Sequence, residues 1–230
     1  MLKLSWPRMP RRNGAGFLAR LARAKSGVAA VEFAMIAPVF ITLGMGGIET
    51  AYMMSVNQQV SSLALSVADN ASRMEQTNNN AVTPTVTYND IDSVMKGAMK
   101  EGATISFSTN GRIVLSSLEK DATTGKQYIH WQRCGGSLSA TSAYGNDSTQ
   151  NGLNGAAITG MGSGATRVAA TDGSAVMFVE VYYRYTGLFG NMIFSPFTMK
   201  KEGAYIIRDI RNLGTAGSNP ISGTGSSWGC

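Results

Sequence analysis

Glu32 and Glu49 are the only charged side chains between Glu32 and Val56, in the stretch EFAMIAPVFITLGMGGIETAYMMSV. Sixteen uncharged residues separate them, about 24 Å if helical. A carboxylate in apolar surroundings is costly unless a cation or several donors meet it, so each marks a point where a partner is required. Other candidate chemistry is sparse. Nucleophilic catalysis of the Ser-His or Cys-His kind needs a histidine oriented by a third group. The single histidine, His130, lies in a strand-like pattern beside Trp131, which suits a structural or surface role. One His with Cys134 and Cys230 does not make a zinc site at any usual ligand spacing. Gly160 to Ala165 formally fits G-x-G-x-x-A, yet no strand precedes it and no helix follows. Asp172 also comes too soon to be the acid that holds a ribose. No carboxylate pair is nominated for glycoside chemistry, and Tyr182, Tyr183 and Tyr185 lie in a strand pattern without a basic patch for base stacking. The expectation is a chain that is not an enzyme and takes no cofactor or metal.

The carboxylates are positioned by an apolar helix with a basic flank. Residues 1–27 hold Lys3, Arg8, Arg11, Arg12, Arg20, Arg23 and Lys25 with no acid, whereas the rest of the chain nets −1. The overall +6 therefore reports membrane topology, with the basic end cytoplasmic and the bulk outside, and no nucleic-acid partner is expected. From Phe33 to Val56 the run is too long for a signal-peptide core and lacks a convincing small-residue cleavage site. It reads as a membrane-inserted helix in the lipid bilayer. Outside the cytoplasm Cys134 and Cys230 can form a disulfide, which would close nearly the whole second half of the chain. The alternative is two buried thiols.

The junction Lys25-Ser26-Gly27-Val28-Ala29-Ala30-Val31-Glu32-Phe33 resembles the prepilin processing site of the tight-adherence (Flp) branch of type IV pilins. The fuller run GVAAVEFAMIAPVFITLGMGGIE resembles the opening of TadE-like minor pseudopilins, including the Ala-Pro after Glu32-Phe33. This resemblance implies cutting after Gly27 by a membrane-embedded prepilin peptidase. It also implies partners among other pilin or pseudopilin subunits and the pilus assembly platform. Cleavage would remove the basic leader and free an amine on Val28, with Glu32 one helical turn away as its counter-charge within or between chains. Helix assembly would then rest on Glu32, Pro38 and Glu49. Pro38 and the glycines Gly44, Gly46 and Gly47 weaken the helix, either as a hinge or to allow close helix packing.

Beyond the membrane, Val56, Val60, Leu63, Val67, Ala71 and Met74 recur at helical spacing, so one helix is expected from about Ser26 to Glu75, ended by Gln76 to Asn80. A short strand over 82–88 is interrupted by Pro84. A second helix follows, capped by Asn89 or Asp90 and ended by Gly102, with Ile91, Val94, Met95, Ala98 and Met99 as its stripe. Ala103–Ser108 and Arg112–Leu118 flank Asn110-Gly111 as a two-residue hairpin. Asp121–Gly125 turns into a strand over Gln127–Arg133. Residues 134–174, rich in Gly, Ser, Thr and Asn, are expected to be a long surface excursion. Ala175–Tyr185 alternates, with Met177, Val179, Val181, Tyr183 and Tyr185 on one face and Glu180 and Arg184 on the other. Leu188–Phe197 is an apolar loop or short helix, Ala204–Ile210 a last strand, and the tail after Leu213 is flexible unless Cys230 pins it.

The expected fold is α+β: a pilin-like N-terminal helix, membrane-inserted in its first half and amphipathic in its second, on an antiparallel sheet of four or five strands. The expected segments are a leader over 1–27, a transmembrane part over 28–56 and an extracytoplasmic domain over 57–230. A bacterial inner membrane, crossed once, is the expected location, with entry into a surface pilus a further step. The rival reading is an unprocessed single-pass protein whose outer domain binds a ligand.

Overall fold

The computed structural model describes residues 26–74, 83–148, 152–154, 156–208, 210–225 and 228–230. Residues 1–25 of the leader, and the proposed helix end at Gln76 to Asn80, lie outside the described residues. The chain divides into two compact units, with the boundary between Ile48 and Glu49. Helix α1, Ser26–Ser72, contributes to both. The anticipated transmembrane part ran on to residue 56, but Glu49 and Val56 are already fully buried in the second unit.

The second unit is α+β. Helix α2 (Tyr88–Glu101) precedes four strands, β1 (Gly111–Lys120), β2 (Gln127–Gly135), β3 (Ala175–Tyr185) and β4 (Phe197–Ile206). They form one antiparallel sheet in the order β2-β1-β3-β4. Val56, Val60, Leu63, Val67 and Ala71 of α1 recur at three- and four-residue intervals and so share one helical face. That face packs, with Ile91 and Met95 of α2, on Ile113, Leu115, Met177, Val179 and Val181 of the sheet. Gly203 of β4 faces Ala64 so closely that a Cβ there would lie 2.5 Å from the Ala64 carbonyl oxygen. The opposite face of the sheet carries a second, smaller core of Leu118, Ile129, Val176 and Phe178.

Several local expectations change. No strand forms over the described part of 82–88. Thr87 caps α2 instead of Asn89 or Asp90, in a reciprocal box where Asp90 N–H donates to Thr87 Oγ1 at 3.3 Å and Thr87 N–H donates to Asp90 Oδ2 at 2.8 Å. Gly102 ends α2 as anticipated.

Asn110-Gly111 is not a hairpin turn. Gly102–Ile105 is a 3₁₀ turn, Phe107–Asn110 a single helical turn, and β1 begins at Gly111 with an extended φ of −121°. Phe107 decides this: its ring is fully buried, and it occupies the space that a side chain at Gly111 would need. The glycine is required for room, not for a left-handed turn. Ser106, at φ 52°, makes the reversal.

The last strand begins at Phe197 and ends at Ile206, seven residues upstream of the anticipated start. Lys200, Lys201 and Glu202 hid its front half, because an apolar pattern is not needed where side chains reach a polar cover.

That cover is the 134–174 segment. It is not a free excursion: its Met161 and Ala170 are buried on the second core with Tyr144, Ile158 and Val168 packed alongside. The tail is likewise held. Cys134 and Cys230 form a disulfide, Cys134 N–H donates to the Trp228 carbonyl at 2.8 Å, and Thr87 bridges Ser222.

Candidate assembly and membrane site

The described part of the first unit, residues 26–48, is an apolar helix whose side chains are mostly exposed. Phe33 is 73% and Phe40 70% exposed, and Val28, Val31, Met35, Ile36, Val39, Ile41, Leu43 and Ile48 are exposed too. Burying an apolar side chain of this size is favourable by about 1.5–3 kcal/mol, so a run of them left bare in water is strongly unfavourable. This is the one described helix long and apolar enough to cross a membrane. From Val28 to Ile48 it rises about 31 Å, close to the thickness of a bilayer's hydrocarbon core.

Gly27 and Val28 sit in the first turn of this helix, Gly27 with open space where a side chain would project. Glu32 and Phe33 are exposed one turn further on. Pro38 lies inside the helix without ending it. Thr42 donates its hydroxyl to the Pro38 carbonyl at 2.8 Å, so the run's one hydroxyl near its middle is satisfied in its own helix.

Glu49 is where geometry adds most. Its side chain is fully buried. Oε1 accepts from the Tyr185 hydroxyl at 2.5 Å and from Leu188 N–H at 3.2 Å, and Oε2 accepts from Phe189 N–H at 3.2 Å. Three donors on one carboxylate satisfy much of its acceptor capacity and tie the β3–β4 connection to α1. Gly187 has no side chain because the carboxylate fills that space. Burial raises the Tyr185 hydroxyl pKa, and the Glu49 bond and charge raise it further, so the phenol stays a donor. The resemblance groups Glu49 with Glu32 as a helix-assembly residue. The structure separates them: Glu32 lies in the apolar unit, while Glu49 is an internal cap of the folded unit.

Other buried polar groups hold strands and covers. A bulge in β2 places His130 outside the pair register, since Ser117 pairs with Trp131 and Leu118 with Ile129. His130 Nδ1 lies 2.7 Å from Glu119 Oε2, and Nε2 lies 3.1 Å from the Ser218 carbonyl. Glu180, fully buried, bonds to Ser142 and Ala143 of the cover and to Lys200 at 2.9 Å. Burial of Lys200 works against its charge, but the hydrogen bonds to Glu202 and Glu180 outweigh it and raise its pKa. Tyr182, half-buried and bonded to Glu180, has its hydroxyl pushed up to about 12 by desolvation and by that bond. Among the described residues no group of three or more His, Cys, Asp or Glu side chains is arranged to hold a metal.

Residues 27–69 match the model of the TadE-like protein family. Over that segment the chain is TadE-like. No curated protein and no solved structure matches the chain. The TadE-like match takes in Gly27, Glu32, Pro38 and Glu49 and continues along the buried face of α1 to Val67 and Ala68. It stops short of the sheet. Tyr185, Leu188 and Phe189, which hold Glu49, lie outside the TadE-like segment.

Proposed function

We propose that this chain is a structural minor pseudopilin of a Flp/Tad-type pilus, cut by a membrane-embedded prepilin peptidase after Gly27. Its folded unit lies outside the inner membrane, its basic leader inside, and its role is assembly rather than catalysis. The observation that carries the reading is the bare apolar face of α1 from Val28 to Ile48, which needs lipid first and other helices once it leaves lipid. Two further observations support it. Gly27 leaves a peptidase room to grip the backbone, and the TadE-like match begins at that residue. Cleavage removes seven basic residues and puts an amine on Val28, which an exposed Glu32 of the same or a neighbouring helix pairs with in a low-dielectric setting.

The test is co-expression of the full chain with a prepilin peptidase, followed by N-terminal sequencing of the membrane fraction. Val28 is the expected first residue, and Gly27→Leu is expected to leave the leader in place while the chain still inserts. A wild-type product that keeps residues 1–27 beside an active peptidase removes the processing claim.

A further inference from the structure

The β3–β4 connection leaves a second apolar surface uncovered. Met192 is 76%, Leu188 53% and Phe197 42% exposed, and Phe189, Ile193 and Phe194 are only partly buried. From Thr186 to Met199 the sequence TGLFGNMIFSPFTM holds no charged residue. Exposed apolar residues scattered singly, such as Leu65 and Ile210, need no explanation, but a contiguous uncharged loop of them marks a docking surface.

The place of this loop identifies what it docks on. Leu188 and Phe189 donate their backbone N–H groups to the carboxylate of Glu49. Glu49 follows Ile48 directly, and Ile48 is the last residue of the bare apolar run. A span of about 31 Å from Val28 to Ile48 uses the full hydrocarbon thickness, so it brings residue 49 to the lipid–water boundary. The loop held on Glu49 then meets the same boundary. A carboxylate with three donors spent on it can sit there without a cation.

We propose that the β3–β4 loop is an interfacial membrane anchor. Leu188, Met192 and Phe197 enter the headgroup–acyl zone of the bilayer, and Glu49 fixes the loop at the depth where the span ends. Apolar side chains entering this zone contribute according to the area they bury, as in proteins that lie on a membrane surface. The loop thereby gives the folded unit a second lipid contact besides its helix. This rests on the membrane-span reading of α1.

The test uses the full chain reconstituted in phosphatidylcholine–phosphatidylglycerol vesicles whose acyl chains carry bromine at a shallow or a deep carbon. Met192→Trp reports on the loop and Phe40→Trp on the span, each read as the difference from the wild-type chain. Both positions are exposed, so neither substitution disturbs packing. The expected result is a blue-shifted Met192→Trp emission quenched more strongly by shallow than by deep bromines, with Phe40→Trp quenched most by deep ones. If Phe40→Trp is quenched while Met192→Trp emits as in water and is unquenched, the interfacial anchor is overturned and the span stands. A blue-shifted Met192→Trp that bromine does not quench, and that varies with the protein-to-lipid ratio, overturns it in favour of contact with a second copy. An unquenched Phe40→Trp removes the span and the anchor together.

Discussion

Glu49 shows how one carboxylate acquires a role that its sequence position does not announce. In the chain it reads as the second acid bracketing an apolar run. In the fold it is an acceptor for Tyr185, Leu188 and Phe189, all about 140 positions away, and is cut off from water. Breaking such a site leaves buried donors unpaired, each at about 1–3 kcal/mol. Glu49→Ala is therefore expected to destabilise the folded unit by about 3–5 kcal/mol, the low end for three donors left without their acceptor. Tyr185→Phe, which removes one donor and leaves two, is expected to cost only about 1–2 kcal/mol. Urea unfolding of the full chain in detergent, followed by near-ultraviolet circular dichroism, reads both, and equal losses for the two variants would contradict the three-donor account. Glu32 has no such network and keeps its exposed place, so Glu32→Gln is expected to leave this unfolding midpoint unchanged.

Among the elements, α1 and β3 follow closely from their patterns, and the failures cluster where one distant side chain overrides a local preference. Asn110-Gly111 has the composition of a hairpin turn, yet Phe107 claims the space beside Gly111 and the pair becomes a helix-to-strand junction. Ile129 and Trp131 would share a face in a regular strand. The bulge at His130 sends them to opposite cores instead, Trp131 toward the helices and Ile129 toward the cover. β4 escaped notice in its first half because its charged residues reach Glu180 and Tyr144 rather than solvent alone. The approach of α1 to β4 at Gly203 is similarly a property of the packed pair. A methyl group there meets the Ala64 backbone, which has no rotamer by which to withdraw. Gly203→Ala is expected to cost about 1–3 kcal/mol, as overpacking does. Gly97→Ala, in α2 with open space around it, is expected to be stabilising by up to ~1 kcal/mol through helix propensity. Thermal melts of the two variants moving in the same direction would sink this account of the contact.

On the scale of the molecule, the disulfide is the long-range restraint. Cys134 at the end of β2 and Cys230 at the C-terminus are 96 positions apart, and the loop they close contains the cover, β3, β4 and the tail. Chain-entropy reasoning assigns such a loop about 4–5 kcal/mol. Cys230→Ser is expected to lower the urea midpoint accordingly, and dithiothreitol to lower the wild-type midpoint to match while leaving the variant unmoved. A wild-type midpoint indifferent to reductant would show that the bridge does not restrain the unfolded chain. The pairing agrees with the expectation drawn from the basic leader, while what the bridge secures is visible only in the fold. The sequence by itself determined the bare helix, its basic flank, the TadE-like opening of that helix and the alternating β3, because each is written in neighbours one to four residues apart. Only the tertiary structure decided that Glu49 belongs to the folded unit, that the 134–174 segment seals a second core and that the β3–β4 loop is held on the Glu49 carboxylate. Those features depend on which distant groups satisfy a buried charge or cover an apolar face, and that matching exists only once the chain has closed on itself.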